Sequence, residues 1–246
     1  MTNGKRIKNF IERFTGYWVY KKKYLPYGIS LKLDITNRFN YNTMDVIFDV
    51  GANIGQTFDT MRADFPQAKI YCFEPIFDTY KLLVENVAKS KHIVLENFAF
   101  GAFEGQQEVC LYENDMSNLN SLKQGVMNKA VTAKTQQVTV KTINAYCVKN
   151  NIEHIDILKI DTEGYELEVL KGAESLLSSH SISFILCEVG FLHQNHRNTN
   201  FSVLCEYLAR FNYNFVALHN VSRWKDHIHN GNSYGDALFV SKSLEK

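Results

Sequence analysis

Apolar and polar positions alternate regularly from residue 45 to the end of the chain. Short apolar runs of strand length recur seven times, and helical periodicity fills most of the segments between them. Strands separated by helices predict βαβ units and a parallel sheet. The last two runs have no helix between them, so the final strand should return antiparallel. The predicted strands are 46–50, 69–73, 93–98, 155–160, 182–188, 214–219 and 236–240, and the predicted helices are 56–65, 78–89, 142–150, 165–178 and 201–211.

One region departs from this alternation. Two further strand-like runs, 108–112 and 137–141, flank the polar stretch 113–134, so the chain carries an insertion at about 101–141. An insertion of this length in a compact domain is typical of a functional loop or lid, and the alternative is a solvated hairpin. The pattern leaves both open.

The first 44 residues are predicted to be a basic helical extension that precedes one domain spanning 45–246. Within it, residues 5–24 have the pattern of one or two amphipathic helices. Residues 30–38 are compatible with either a strand or a helix. The apolar face of the first helix carries Ile7, Phe10, Ile11 and Phe14, and Trp18 continues it beyond Gly16.

Charge is distributed unevenly along the 246 residues. The net charge of +1 offers no electrostatic case for binding nucleic acid, yet residues 1–23 contain seven Lys and Arg against one Glu. This basic segment could contact an anionic membrane surface, pack on its own domain, or pack on a second subunit in a homodimer. The sequence favours packing on its own domain or on a second subunit, with solvated lysines, and the membrane contact is the alternative.

The five cysteines are widely spaced and contain no C-x-x-C pair, which indicates a reducing compartment and no zinc site. No signal peptide and no apolar run of membrane-spanning length is visible. The expected location is therefore the cytoplasm, or the inner face of the membrane if the basic segment attaches there.

The stretch VIFDVGANIGQT, residues 46–57, indicates a ligand site. It reads as a buried strand, a tight glycine loop and the start of a helix, which is how a doubly wound sheet begins a nucleotide pocket. Gly51 and Gly55 can adopt positive φ and leave room for a ligand beside the backbone. Asn53 is among the residues that tolerate a left-handed conformation.

Two acidic residues suggest which ligand this is. The loop lacks the G-x-G-x-x-G pattern of dinucleotide sites. Asp49 lies at the end of the strand, where a carboxylate would disfavour a bound pyrophosphate. Glu74 ends the next strand and is suited to bind both ribose hydroxyls. An adenosine joined to a cationic amino acid fits these acids, which predicts S-adenosyl-L-methionine. The alternative is a loop that only turns a strand into a helix, with Glu74 as a surface charge.

Several segments resemble the FkbM family of S-adenosylmethionine-dependent methyltransferases. The resemblance implies a Rossmann-like, seven-stranded class I methyltransferase sheet, mostly parallel with an antiparallel terminal strand. It also implies O-methylation of hydroxyl groups on a sugar, glycan or related small molecule. The segments are FDVGANIGQT (48–57), FEP (73–75), NFAFGAFEG (97–105), LKIDTEGYELEVLKGA (158–173) and DALFVSK (236–242).

Carried over to this chain, the resemblance implies a cofactor set drawn from four strand ends. Asp49, Gly51, Asn53 and Gly55 form the first loop, and Glu74 binds the ribose. Residues 97–99 lie near the adenine, and Asp161 lies beside the methionine part and the transferred methyl group. The full set is Asp49, Gly51, Ala52, Asn53, Gly55, Gln56, Thr57, Glu74, Pro75, Asn97, Phe98, Ala99 and Asp161.

Candidates for a general base follow the fourth and fifth strands, where open α/β sheets bind their ligands. They are Glu163, at the expected start of the next helix, Glu188, at the end of an apolar strand, and His193 in the loop beyond. In the alternative interpretation, Glu163 has no catalytic role and its negative charge only stabilises the N-terminus of that helix. The carboxylates could also hold a divalent metal, but their spacing matches no defined motif and no metal site is predicted. Lys159 receives no role.

Two other functions compete with methyl transfer. One is an NAD-dependent oxidoreductase, against which the missing dinucleotide fingerprint and Asp49 argue. The other is a non-catalytic S-adenosylmethionine-binding module, against which the intact loop and Glu74 argue.

Overall fold

The computed structural model describes residues 3–21, 24–111, 134–192, 197–222 and 233–244. Its strands are β1 (Val46–Val50), β2 (Lys69–Phe73), β3 (Ile93–Glu96), β4 (Ala99–Phe100), β5 (Gly105–Leu111), β6 (Lys134–Lys141), β7 (Ile155–Ile160), β8 (Ile182–Gly190), β9 (Tyr213–Ser222) and β10 (Tyr234–Ser241). Its helices are α1 (Asn3–Thr15), α2 (Leu31–Leu33), α3 (Gln56–Asp64), α4 (Phe77–Val87), α5 (Ile143–Asn150), α6 (Glu166–Lys171), α7 (Glu174–Ser178) and α8 (Phe201–Ala209).

Seven strands form the central sheet in the order β3-β2-β1-β7-β8-β10-β9. β1 pairs in parallel with β2 and β7, whereas β10 runs antiparallel to both β8 and β9. This confirms the mostly parallel Rossmann-like sheet with an antiparallel terminal strand. The chain leaves β1 on one side for β2 and β3 and returns on the other side at β7. Such a switch point opens a crevice at the carboxyl ends of the strands.

The sheet is buried on both faces, which explains its unbroken apolar runs. All six residues of β7 are buried. Successive residues of β1 face opposite sides, so Ile47 belongs to the core on one face and Phe48 to the core on the other. The fold thereby holds the carboxyl ends of β1 and β7 rigidly beside each other.

The third strand is shorter than its apolar run predicts. β3 ends at Glu96, and Ala99–Phe100 leave the central sheet as β4 of a second sheet with the order β4-β6-β5. β5 and β6 form the antiparallel arms of the predicted insertion. The polar stretch between these arms lies almost wholly outside the described residues, so the choice between a lid and a hairpin stays open.

The predicted helix at 165–178 is divided into α6 and α7. The break falls at Gly172, where a Cβ atom would lie 2.1 Å from the carbonyl oxygen of Gly101. A neighbouring loop therefore crosses the helix too closely for any side chain, and a continuous helix with an ordinary residue there cannot form.

Within the first 44 residues, the predicted amphipathic segment 5–24 is helical as far as Thr15, where α1 ends. The undecided segment 30–38 folds as α2 followed by a π-helical turn, Asp34–Arg38. In α1 the apolar side chains are exposed, with Phe10 at 64% and Phe14 at 81%. These side chains therefore do not pack on the described part of their own domain, and a second subunit and a membrane surface remain the alternatives. The domain boundary at residue 45 stays a prediction.

No helix in the part of the chain described above has both the length and the apolar character that crossing a membrane requires.

Candidate active site

A cavity of about 350 Å³ opens at the carboxyl ends of the strands around the switch point. Its wall contains ten of the predicted cofactor residues and two of the predicted catalytic residues. The first group is Gly51, Ala52, Asn53, Gln56, Thr57, Glu74, Pro75, Phe98, Ala99 and Asp161, and the second is Glu163 and Glu188. His193 lies outside the described residues.

The glycine loop is held by the backbone of the neighbouring strand. The amides of Gly51 and Ala52 donate to the carbonyl oxygen of Phe73, at 3.0 and 3.1 Å. Gly51 has φ 79, and a Cβ atom there would lie 1.8 Å from the carbonyl oxygen of Asp161. Asn53 adopts a left-handed φ of 50, as expected for an asparagine in this loop. The two strand ends can touch only because position 51 has no side chain.

Glu74 lies at the cavity wall with only 6% of its surface exposed. Its carboxylate accepts hydrogen bonds from the amides of Asn53 and Ile76, at 3.0 and 2.9 Å. Burial raises the pKa of Glu74 to about 7, although these two amides oppose the change. Each carboxylate oxygen retains a further acceptor position. Glu74 is thus a buried, oriented acceptor and not a surface charge.

Asp49 does not line the cavity. It is fully buried and forms an ion pair with Lys159 at 3.1 Å, and the same ammonium lies 3.3 Å from Asp161. Burial alone would lower the pKa of Lys159, but the two carboxylates outweigh burial and raise it. Lys159 lines the cavity, and its single ammonium lies within ion-pair distance of both acids. The sequence signal was a lysine in an apolar strand, which needs a buried partner.

Gly55 and Asn97 also lie behind the cavity wall. Gly55 has φ 97 and precedes α3, and a Cβ atom there would lie 2.8 Å from Val87 of α4. The side-chain amide of Asn97 donates to the carbonyl oxygens of Glu74 and Pro75. These two residues support the loops that form the wall.

The second sheet also reaches this cavity. Val109 of β5 forms part of the wall. Gln136 of β6 donates to the carbonyl oxygen of Pro75 at 3.2 Å and accepts from the amide of Phe77 at 3.4 Å. The insertion is therefore anchored at its base beside Pro75, although the sequence placed no candidate residue in β5 or β6.

Three carboxylates converge at the other end. Asp161, Glu163 and Glu188 each have an oxygen atom, and these atoms lie within 4.8 Å of one another. Such a spacing suits one shared proton or one divalent cation. Burial, together with the neighbouring carboxylates, raises the pKa of Glu188 well above its ordinary value, and Asn198 donates a hydrogen bond to it. Glu188 is not the last strand residue, because β8 continues to Gly190.

Glu163 does not begin a helix, so that expectation is wrong. α6 starts only at Glu166, and Glu163 sits in the preceding loop at φ 53, a left-handed conformation that is unusual for glutamate. Its carboxylate pairs with Arg197 at 3.2 Å. Burial raises the pKa of Glu163 to about 7, with Arg197 opposing the change.

A residue that sequence reasoning missed holds this loop in place. Glu166 is fully buried and accepts hydrogen bonds from the amides of Thr162, Gly164 and Thr199, at 3.1, 2.8 and 3.0 Å. It thereby ties the loop after β7 to the segment before α8. A glutamate in the first turn of a helix was the available signal, but its partner at position 199 could not be seen in the sequence.

The site residues fit the predicted cofactor. The cavity offers a buried carboxylate for ribose hydroxyls at Glu74, an aromatic side chain at Phe98, and a group of acids that suits a cationic centre. Its volume lies in the ordinary range for small-molecule sites.

Comparisons with known proteins agree with this interpretation. The model of the methyltransferase FkbM domain matches residues 49–215. Hexuronic acid methyltransferase AglP of Haloferax volcanii is 26% identical over 147 residues, which cover 59% of this chain and 56% of that protein. Methyltransferase sdnD of Sordaria araneosa is 25% identical over 191 residues, with 67% of this chain and 71% of that protein covered.

A third relative, methyltransferase 1 of Beauveria bassiana, is 27% identical over 146 residues, which cover 52% of this chain and 58% of that protein. The match to AglP thus spans little more than half of that relative. The family match covers more than half of the present chain and includes both ends of the cavity. This chain belongs to the FkbM methyltransferase family, and its cofactor is S-adenosylmethionine.

Proposed function

We propose that this protein transfers the methyl group of S-adenosylmethionine to a hydroxyl oxygen of a sugar, glycan or related small molecule. The observation that carries the proposal is the convergence of Asp161, Glu163 and Glu188 in the same cavity as Glu74. Carboxylates accept hydrogen bonds from hydroxyl groups and can accept the proton that oxygen must lose. The relative AglP is named for a hexuronic acid, which supports a sugar acceptor. Family membership does not favour the oxidoreductase or the non-catalytic alternative.

The cofactor roles divide between the two ends of the cavity. Glu74 would accept hydrogen bonds from the ribose hydroxyls, with Phe98 and Ala99 beside the adenine. Asp161 would lie by the cationic methionine part, with its charge balanced in part by Lys159 at 3.3 Å. When bound, S-adenosylmethionine supplies an electrophilic methyl group on a positively charged sulfur.

Glu163 is the best suited of the candidate bases. An alcohol is a weak nucleophile, and a positioned base accelerates its attack by about 10²–10⁴-fold when its pKa lies near the working pH. The pKa of Glu163 is about 7, whereas Glu188 keeps its proton at neutral pH because its pKa is raised further. We therefore assign proton acceptance to Glu163 and orientation of the acceptor hydroxyl to Glu188. His193 stays a candidate from the sequence.

Glu74→Gln is expected to remove the pH dependence of cofactor binding. Only the ionised carboxylate accepts two hydroxyl hydrogen bonds well. Because burial raises the pKa of Glu74 to about 7, wild-type affinity should rise about tenfold between about pH 6 and about pH 8. The neutral glutamine should bind roughly tenfold more weakly at the higher pH, with little slope. Calorimetric titration with S-adenosylmethionine at several pH values measures both quantities.

Glu96→Gln serves as the matched control, since Glu96 ends the adjacent strand and accepts a hydrogen bond from Tyr146 instead of lining the cavity. This variant should keep the wild-type slope. An unchanged slope in a folded Glu74→Gln protein would remove Glu74 from the ribose site.

Glu163→Gln is expected to lower the rate of methyl transfer on the order of a hundredfold. The wild-type rate should rise with pH through about 7 as Glu163 loses its proton, and the variant should lack this rise. The experiment follows labelled methyl transfer to glucuronic acid, galacturonic acid and neutral glycosides. Glu168→Gln is the control, because Glu168 pairs with Lys171 at 2.6 Å and does not line the cavity.

A folded protein that binds S-adenosylmethionine but methylates none of these acceptors would contradict the sugar assignment. Parallel reactions with a chelator and with added Mg²⁺ are needed, because the three carboxylates are also close enough to share a cation.

The cytoplasmic location expected from the cysteine pattern stays a prediction.

A further inference from the structure

The helix α1 presents an apolar face to solvent. Its exposed fractions are 60% for Ile7, 64% for Phe10, 38% for Ile11 and 81% for Phe14. At about 100° per residue these four side chains fall within one narrow arc of the helix surface. The rings of Phe10 and Phe14 stack with centroids 5.2 Å apart. The helix therefore carries a continuous apolar stripe that the described part of the chain does not cover.

Two further aromatic residues follow directly. Gly16 ends α1 in a left-handed conformation, with φ 72, and its amide donates to the carbonyl oxygen of Glu12 at 3.0 Å. Beyond it, Tyr17 and Trp18 are exposed at 76% and 79%. Tyrosine and tryptophan are the side chains that favour the boundary between an apolar phase and water.

The polar side of the same helix is basic. Lys5, Arg6, Lys8 and Arg13 lie outside the apolar arc, and Glu12 is the single acid of the helix. The carboxylate of Glu12 is paired within this segment, since it forms an ion pair with Lys8 at 3.4 Å and accepts a hydrogen bond from the amide of Val19 at 2.9 Å. A cationic face beside an apolar stripe complements a surface that is both anionic and apolar.

We infer that α1 and the following aromatic residues form a docking surface for an anionic lipid bilayer. The apolar stripe inserts at the level of the headgroups, while the lysine and arginine side chains contact the anionic groups around it. Charge argues against pairing with the same segment of a second copy. Residues 1–23 carry seven basic residues against one acid, so two such segments would repel each other. A bilayer rich in anionic lipid meets both requirements at once.

The test uses the full chain and vesicles of two compositions, phosphatidylcholine alone and an equimolar mixture with phosphatidylglycerol. Each basic residue near an anionic surface contributes roughly fivefold to partitioning. Sedimentation should therefore show at least about tenfold tighter binding to the anionic vesicles. Raising the salt from roughly 0.1 M to about 1 M shortens the screening length from about 10 Å to about 3 Å and should weaken this binding.

The double variant Phe10→Ser with Phe14→Ser should lose about tenfold or more in binding to anionic vesicles. Val148→Ser is the matched control, because Val148 on α5 is also 81% exposed and lies outside this surface. It should bind as the wild type does. Thermal unfolding, monitored by circular dichroism, verifies that both variants are folded.

Three results would overturn the inference. They are equal binding to neutral and anionic vesicles, the absence of binding to either, and full binding by the double serine variant. A dimer in solution that the serine changes dissociate, without vesicle binding by the wild type, would instead assign the surface to a second copy. None of these outcomes depends on methyl transfer.

Discussion

Replacing Gly51 with alanine is expected to abolish cofactor binding and to lower the free energy of unfolding by roughly 3 kcal/mol or more. The new Cβ atom would lie 1.8 Å from the carbonyl oxygen of Asp161. Neither backbone can easily move away, because β1 and β7 are hydrogen-bonded neighbours in the centre of the sheet. The left-handed φ of 79 costs about 1–2 kcal/mol for alanine, and the overpacking adds about 1–3 kcal/mol.

Gly105→Ala isolates the contribution of the clash. Gly105 also has positive φ, at 159, but a Cβ atom there meets nothing within 4 Å. The free energy of unfolding, measured by chemical denaturation, should fall by only about 1 kcal/mol in this variant. Equal losses in the two variants would mean that the loop moves to accommodate alanine, and that the close approach of the two strand ends is not required.

Lys159→Met is expected to cost roughly 3–5 kcal/mol of stability and to weaken cofactor binding. The side chain of Lys159 is almost fully buried, and among the described residues its ammonium is the partner of the fully buried Asp49. Neither oxygen of Asp49 receives any other hydrogen bond from those residues. Removing one member of a buried pair leaves an uncompensated charge, which is far more costly than the pair itself is stabilising.

The double variant Asp49→Asn with Lys159→Met should recover much of the lost stability, because neutralising both members removes the unpaired charge. Lys171→Met is the control for losing an exposed pair. Lys171 and Glu168 are 2.6 Å apart with side chains 41% and 32% exposed, so its loss should cost no more than about 1 kcal/mol. A cost below that level for Lys159→Met, or no recovery in the double variant, would contradict the buried-pair account.

The sequence determined most of the local structure. The predicted bounds of β1, β2 and β7 agree with the structure, at 46–50, 69–73 and 155–160. These strands are buried on both faces and end at glycine or charged residues, so composition alone delimits them. The predicted helix bounds agree less closely, because helix ends fray and depend on contacts with neighbouring elements. The break between α6 and α7 depends on a loop more than 70 residues earlier in the chain.

The residues of the cavity wall could be predicted from the sequence where they lie in loops that directly follow strands. The glycine loop and Glu74 follow directly after strands, and parallel strands bring such ends to one edge of a sheet. Glu163 does not start a helix, and α1 does not pack on the described part of its own domain, which was one of the two favoured alternatives for that helix. Each outcome depends on what lies across from the residue in space, which the periodicity of a segment does not contain.

What the sequence by itself determined is the order of the elements, the fold class and the family of the chain. Only the tertiary structure decided the electrostatics of the site. Asp49 and Lys159 are 110 residues apart in the chain and become partners because the register of β1 and β7 sets them opposite each other. Glu166 and Thr199 are 33 residues apart, with all of β8 between them in the chain, and meet only in the folded sheet. Strand order and register result from long-range packing, so the charge that each buried group carries is a property of the assembled fold.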